Sequence, residues 1–219
     1  TVFRIYYNGA TDGDYNTYDT YGVENVWTNN YVGVWHMNED PSGTAPQIID
    51  STSYGGDGTT AGSMTGTDLT AGQIGQTIDF DGAGDDASTA AGSQYANLTQ
   101  YTISTWMNMD SEFSGTTAVV GDYDSWTGGV PTVYIRSSTN EDFACGHDSS
   151  NYRAGEIGID TPAAGNWINY HCTWNGSTIR QYVNDSQLGA GFSETTSPTA
   201  SARQFGIANV DELDTDLLA

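Results

Sequence analysis

Carboxylates crowd one short stretch of the sequence. Within the eight-residue run DFDGAGDD, four positions are aspartate: Asp79, Asp81, Asp85 and Asp86. Calcium takes six to eight oxygen ligands at about 2.3–2.6 Å, and intervening glycines permit the tight turns that bring such ligands together. The run is not an EF-hand, because Ala90 stands where the bidentate glutamate is needed. The pattern predicts a calcium site; the alternative is an ordinary turn that the aspartates cap and solvate.

A second group of residues predicts contact with a ligand. Trp126 follows Asp124 closely and precedes a glycine pair, which is the setting of an exposed loop aromatic. Tyr123 and Tyr152 lie in similar loop-like stretches. Exposed aromatic rings stack on sugar rings, while nearby carboxylates and amides bind the hydroxyl groups. We therefore predict that these four residues bind carbohydrate; the alternative for each aromatic is a structural role.

The usual catalytic patterns are missing from the sequence. The three histidines, His36, His147 and His171, do not have metal-ligand spacing, and His36 and His171 are expected in core or half-buried positions. The sequence has no G-x-S-x-G nucleophile turn and no glycine-rich phosphate loop. We therefore do not expect an enzyme.

The charge balance bears on the class of partner. Asp and Glu number 28 against 5 basic residues, all of them arginine, and the formal net charge is −23. Without a basic track to neutralise phosphates, we expect neither nucleic-acid binding nor attraction to an anionic membrane. No apolar run reaches the roughly 18 residues of a transmembrane helix, so membrane insertion is not expected.

The two cysteines, Cys145 and Cys172, leave two interpretations open. They permit one disulfide, which suits an extracellular-looking composition, or they are two buried, reduced thiols. The sequence begins at Thr1 without an initiator methionine or a signal peptide, so we expect a processed product or an excised piece of a longer chain.

The elements that must position these residues are short strands. Apolar residues recur at helical spacing over no more than about two turns, whereas β-branched and aromatic runs alternate between turn signals. In Tyr101–Met109, Trp106 shares its face with the polar residues Thr102 and Ser104. Many short strands indicate a sandwich or a barrel. The predicted strands are Tyr31–Met37, Gln76–Phe80, Tyr101–Met109, Thr117–Val120, Thr132–Ser137, Trp167–Trp174 and Thr178–Val183.

The order of the segments resembles the laminin-G-like modules of the concanavalin A-like lectin and glucanase superfamily. The resemblance implies an all-β fold: a jelly-roll β-sandwich of two antiparallel sheets, one of them concave. It also implies that Trp35, Trp106, Trp167 and Trp174 occupy core positions. The matching segments are YVGVWHMNED (31–40), IIDSTSYGGDGTTAG (48–62), GQIGQTIDFDGAGDDAST (72–89), YTISTWMNMD (101–110) and NWINYHCTWNGSTIRQYVND (166–185).

The resemblance implies a domain boundary, and it also bears on whether the chain carries a catalytic motif. It places the sandwich in residues 31–219 and leaves residues 1–30 as an N-terminal strand and linker, similar to the tail of an upstream β-domain. Some enzymes of the superfamily carry an E-x-D-x-E strand motif. The nearest match, Glu212-Leu213-Asp214-Thr215-Asp216, lacks the second glutamate and falls where the family's closing strand is expected.

These observations together predict a secreted or surface-displayed, non-catalytic recognition or adhesion module. Its expected partner is a glycan or surface polymer, with calcium as the candidate cofactor. The alternative is a structural subunit of an extracellular or virion assembly that associates with copies of itself, since a terminal strand could complete a neighbour's sheet.

Overall fold

The computed structural model describes residues 23–81, 84–90, 93–109, 116–121, 129, 131–137, 141–147, 165–199 and 204–208. These residues are almost entirely β-structure, with one short helix, α1 (Val23–Val26), and two 3₁₀ turns, Gly66–Asp68 and Ser93–Tyr95. The described strands are β1 (Gly58–Ala61), β2 (Leu69–Ala71), β3 (Gln76–Ile78), β4 (Asp86–Thr89), β5 (Tyr101–Met107), β6 (Thr116–Val120), β7 (Thr132–Ser137), β8 (Glu141–Gly146), β9 (Ile168–Trp174), β10 (Thr178–Val183), β11 (Ser186–Ser193) and β12 (Phe205–Ala208).

Two antiparallel layers make up the sandwich. One layer is the four-stranded sheet β11–β10–β9–β5. The other consists of β1–β4–β12 and β6–β7–β8, which two 2.9 Å backbone hydrogen bonds between Gly121 and Gly206 join side by side. Gly121 permits that junction: it has φ 121°, and a Cβ there would lie 2.6 Å from the carbonyl oxygen of Pro131. The small hairpin β2–β3 lies apart from both layers in the hydrogen-bond pattern. The predicted all-β jelly-roll class is confirmed.

Strand β9 shows how the four-stranded sheet is oriented. Its side chains alternate between buried and half-buried along all seven residues. Successive side chains of a strand point to opposite faces, so the buried set faces the other layer. The inward residues are Ile168, Tyr170, Cys172 and Trp174, and the outward residues are Asn169, His171 and Thr173.

The main core fills the space between the two layers. Residues of β7 and β8, among them Ile135 and Phe143, pack against the inward residues of β5, β9 and β10. Phe143 stacks on Tyr170 with ring centroids 4.9 Å apart. Burial raises the pKa of the Tyr170 phenol well above its usual range, because the ionised form would have no water around it. A smaller cluster around Ile48 and Phe80 supports the β1–β4 end.

A buried carboxylate organises the segment before β1. One oxygen of Asp50 accepts hydrogen bonds from the backbone amides of Val34 (2.9 Å) and Thr52 (3.0 Å). The other accepts from the Thr52 hydroxyl (2.8 Å) and the Gly56 amide (2.9 Å). Four donors offset the cost of burying this charge.

The predicted strand Tyr31–Met37 is wrong, because this segment bonds to the Asp50 side chain and does not pair with a neighbouring strand over its length. Its backbone meets the Asp50 side chain and makes one isolated bridge, at Trp35, in place of a continuous ladder. Met37 has φ 56°, which lies outside the extended region.

Other strand predictions are confirmed. Thr132–Ser137 and Thr178–Val183 have the predicted bounds, and the predicted Trp167–Trp174 begins one residue later. The strands that the sequence did not predict are β1, β2, β4, β8, β11 and β12. The division at residue 30 stays a prediction. In the described parts of the chain, no helix is long and apolar enough to cross a membrane.

Cys145 and Cys172 form a disulfide, which decides between the two interpretations left open by the sequence. Cys145 lies on β8 and Cys172 on β9, so the bond connects the two layers through the core. Both cysteines are fully buried, and their Cα atoms are 6.3 Å apart.

We predict that replacing both cysteines with alanine lowers the free energy of unfolding by about 3.5 kcal/mol. The reason is the entropy that the unfolded chain regains when a loop of 27 residues is opened. Urea denaturation of the oxidised protein, the reduced protein and the double variant measures the effect. The reduced protein is the matched control and should behave as the double variant does. Equal stability of the oxidised and reduced proteins would contradict the prediction.

Candidate ligand-binding face

The predicted carbohydrate-binding residues cannot be placed relative to the sheets. Trp126, Tyr123, Asp124 and Tyr152 all lie outside the described residues. Their role in binding stays a prediction. The same holds for the acidic segment at residues 212–216.

The four predicted calcium ligands lie in two different settings. Asp79 and Asp81 are exposed and lie on either side of the buried Phe80, just after β3. Asp85 is 3% exposed, and its Oδ1 accepts a 2.9 Å hydrogen bond from the amide of Ser63. Asp86 lies in β4.

The fit of these residues to calcium is therefore limited. Over the described ranges, no three His, Cys, Asp or Glu side chains form a group that could hold a metal ion. Asp85 is buried and accepts a hydrogen bond from Ser63, whereas Asp79 and Asp81 are exposed. The calcium site stays a prediction.

The four-stranded sheet presents a continuous outward surface, which we call the open face. Strand pairing places the outward side chains of β5, β9, β10 and β11 next to one another in rows. All of them are exposed or half-buried. The open face consists of Thr102, Ser104, Trp106, Asn169, His171, Thr173, Thr178, Arg180, Tyr182, Gln187 and Ser193.

The opposite layer is different. On β7, Thr132, Val133, Tyr134 and Ile135 are all 2% exposed or less, so side chains on both sides of the strand are shielded from water. Ala144 on β8 is likewise inaccessible. Among the described strands of the sandwich core, the solvent-facing side chains are thus concentrated on the open face.

Trp106 is the most informative residue of the open face. It was predicted to be a core residue, and that prediction is wrong: its side chain is 42% exposed. The cause is its position in β5, where it alternates with the inward residues Thr105 and Met107 and shares the outward side with Ser104. Its polar neighbours in the sequence were the available signal, since a tryptophan in phase with Thr and Ser faces solvent.

The groups around Trp106 suit hydrogen bonding to hydroxyls. Asn169 lies directly opposite Trp106 in the register. One row further along, Ser104, His171, Tyr182 and Gln187 stand side by side across four strands. Directly opposed side chains in such rows have Cβ atoms about 4.5–5.5 Å apart. An exposed ring beside a row of amide, hydroxyl and imidazole groups can bind a sugar by stacking and by hydrogen bonds.

Arg180 stands at the far end of the open face. It pairs with Thr173, which in turn pairs with Thr102. Arg180 is therefore two strands and four residues away from Trp106. With strands about 4.8 Å apart and a rise of about 3.4 Å per residue, the two positions are separated by about 17 Å. An oligosaccharide can span that distance, whereas a monosaccharide cannot.

Hydrogen bonds and the disulfide hold the backbone beneath the open face. Asn169 is tied from two sides: its Nδ2 donates to the Thr105 carbonyl (3.4 Å) and its backbone amide donates to Asn184 Oδ1 (3.0 Å). His171 stands between Tyr170, which donates a short hydrogen bond to Gln181, and the disulfide-bonded Cys172. Rigid support of this kind lowers the entropy that binding would otherwise cost.

A histidine, tyrosine and glutamate also meet in the interior. His147 is 4% exposed; its Nε2 lies 2.8 Å from the Thr196 carbonyl and its Nδ1 lies 3.0 Å from the Tyr101 hydroxyl. A carbonyl only accepts, so Nε2 carries the proton, and in the neutral ring Nδ1 accepts from the tyrosine. Burial, together with the charge of Glu194, raises the pKa of the Tyr101 phenol far above its usual range.

This interior cluster is structural. Trp174 packs edge to face against the His147 imidazole, with ring centroids 4.6 Å apart. Its indole nitrogen donates a hydrogen bond to the Glu194 carbonyl (2.8 Å). Both ring nitrogens of His147 have protein partners, so neither is available to a substrate. His36, by contrast, is exposed, which corrects its expected core or half-buried position, while His171 is half-buried as expected.

We predict that two tryptophans of the same sheet contribute very differently to stability. Trp106→Ala should change the free energy of unfolding by less than about 1 kcal/mol, because the ring already contacts solvent. Trp174→Ala, whose side chain is 2% exposed, should cost about 3–5 kcal/mol. Urea denaturation of both variants is the measurement. A large loss for Trp106→Ala would show that its outward side is covered.

Two solved structures illustrate the fold. Domain 4 of AbnA, a GH43 extracellular arabinanase from Geobacillus stearothermophilus solved in complex with arabinotriose, is 17% identical, with a TM-score of 0.58 over 77% of this chain and 81% of that chain. The binding domain of Paraclostridial Mosquitocidal Protein 1 is 12% identical, with a TM-score of 0.51 over 80% of this chain and 44% of that chain. At these identities the likeness shows a shared fold. No curated protein matches the chain in sequence.

A family model covers more than half of the sequence. The model described as the concanavalin A-like lectin/glucanases superfamily matches residues 81–216, a range that contains the whole of the four-stranded sheet. The fold is one that binding domains share with glycan-degrading enzymes. The laminin-G-like resemblance of the sequence is thereby confirmed, and the chain belongs to the concanavalin A-like lectin/glucanases superfamily.

Proposed function

We propose that the chain is a non-catalytic, extracellular carbohydrate-binding module whose ligand lies across the open face. The observation that carries the proposal is a tryptophan, 42% exposed, on a rigid sheet beside a row of hydroxyl, amide and imidazole side chains. Aromatic rings bind the apolar side of a sugar, and polar groups next to them bind its hydroxyls. The proposed role is recognition of, or adhesion to, a glycan or surface polymer.

The residue types on the open face support binding without catalysis. Glycoside hydrolysis generally uses two carboxyl groups on either side of the scissile bond, about 5–5.5 Å apart for retention or about 6.5–9.5 Å apart for inversion. The outward positions of β5, β9, β10 and β11 contain neither aspartate nor glutamate. A sugar stacked on Trp106 would therefore meet no acid–base pair on these strands.

Fold and chemistry support an extracellular role. A domain of similar fold belongs to an extracellular arabinanase and was solved in complex with arabinotriose. Disulfides form and persist in oxidising compartments, and the Cys145–Cys172 bond suits such an environment.

A glycan array, followed by titration of the best glycan, tests the proposal. Trp106→Ala should weaken binding about thirtyfold, the equivalent of about 2 kcal/mol for the loss of a central aromatic contact. Tyr54→Ala is the matched control, because Tyr54 is 56% exposed and lies in the loop before β1, away from the open face. It should bind as the unchanged protein does. Absence of binding to every glycan, or equal effects of the two variants, would overturn the proposal.

The calcium prediction has its own test. If Asp79 and Asp81 bind calcium, replacing both with alanine should abolish the heat of calcium binding in calorimetry. With two protein carboxylates and the remaining ligands from backbone or water, we expect a dissociation constant of about 10⁻⁴–10⁻³ M. The exposed Asp185, replaced with alanine, is the control for the loss of surface charge. Unchanged calcium affinity in the double variant would contradict the prediction.

A further inference from the structure

We infer that the ligand of the open face is a glycan that carries uronic-acid carboxylates, and that Arg180 binds one of them. The inference rests on the proposed function and goes further by assigning the charge of the ligand. It follows from the distribution of charge on the sheet, from the local structure around Arg180, and from the distance between Arg180 and Trp106.

The charge of the open face is opposite to that of the molecule. The chain has 28 acidic residues against 5 basic ones. The eleven residues of the open face nevertheless include Arg180 and His171 and no acidic residue. On so acidic a protein, a surface without carboxylates reduces the local repulsion of an anionic ligand.

Strand β11 departs from regular pairing opposite Arg180. The register between β10 and β11 shifts once, between Ile179 and Gln181. As a result, residues 189–191 of β11 form a bulge opposite Arg180. Gly191 has φ 76°, and a Cβ there would lie 2.7 Å from the Ile179 carbonyl oxygen and 3.0 Å from the Arg180 Cγ. Glycine at position 191 therefore allows the β11 backbone to approach the aliphatic part of the Arg180 side chain. Bulges of this kind re-aim side chains and are frequent beside functional sites.

Arg180 is half-buried, and its guanidinium is the fixed positive charge of the open face. No acidic side chain of the described ranges forms an ion pair with it. A guanidinium matches the planar carboxylate of a uronic acid with two parallel hydrogen bonds. His171 is its diagonal neighbour on the next strand, with Cβ atoms about 7–8 Å apart, and adds a ring nitrogen for an adjacent hydroxyl or carboxylate.

Two anchors at opposite ends define the ligand further. Trp106 binds an apolar sugar face at one end, and Arg180 binds a carboxylate about 17 Å away. A chain of several sugars satisfies both, and a glycan that bears carboxylates along its length supplies the anionic group that the second requires. Neutral glycans would stack on Trp106 and leave the guanidinium without a partner.

Calorimetry with matched ligands tests the inference. The ligands are galacturonate and glucuronate oligosaccharides, each compared with its methyl ester, which has the same rings without the charge. At an ionic strength of about 0.15 M the Debye length is about 8 Å, so the distant acidic surface contributes little. We expect at least one acid to bind about 10- to 100-fold more tightly than its ester, as for a charge-assisted hydrogen-bonded pair. Arg180→Gln should abolish that difference.

A second variant separates local contact from net charge. Asp185→Asn changes the net charge by one unit in the opposite direction and lies in the exposed turn after β10. If only the overall field mattered, it would strengthen acid binding as much as Arg180→Gln weakens it. We expect less than a threefold change from Asp185→Asn.

The failure of the inference is distinguishable from that of the proposed function. If each acid binds no better than its ester, or Arg180→Gln leaves the preference intact, the inference is overturned. Binding of neutral glycans that Trp106→Ala weakens would still support a carbohydrate-binding module in that case. If no glycan binds at all, both are overturned.

Discussion

The structure depends on one constraint: every second residue of β9 must be buried. Ile168, Tyr170, Cys172 and Trp174 fill the core, and the period of a strand then forces Asn169, His171 and Thr173 to the other side. Because β5 and β10 pair with β9 in continuous register, their side chains are sorted in the same way. A shift by one residue would place the polar row in the core, so packing determines the position of the candidate site.

Burial also determines where the charged residues lie. Exposed aspartates such as Asp79, Asp81 and Asp185 lie outside the strands, while the outward positions of the four-stranded sheet carry amides, hydroxyls and one arginine. Where a carboxylate is buried, as at Asp50 and Asp85, backbone amides donate to it. The net charge of −23 therefore describes the surface as a whole and conceals a face that has no carboxylate.

Strands with strong local signals were predictable. β7 and β10 have β-branched and aromatic residues bounded by turn residues, and their predicted bounds are confirmed. β11, with the sequence SQLGAGFS, has three glycine or alanine residues in its middle, and its strand form comes from pairing with β10. β8 likewise takes its strand form from pairing with the preceding strand β7, and β12 takes it from pairing with β4, which is distant in the sequence. Local propensity cannot report a ladder that tertiary contacts stabilise.

The sequence by itself determined the all-β class and the acidic character, because these follow from composition, turn residues and strand periodicity. The superfamily was identified from the resemblance of its ordered segments to a known family. It also contained the pair Cys145 and Cys172 without showing that they meet. Only the tertiary structure decided that Trp106 faces solvent, that Arg180 and His171 share its surface, and that the cysteines join two layers. The physical reason is that the face is made by four strands, of which β5 is remote from the others in the sequence, and their order and register are fixed by burial of the opposite side.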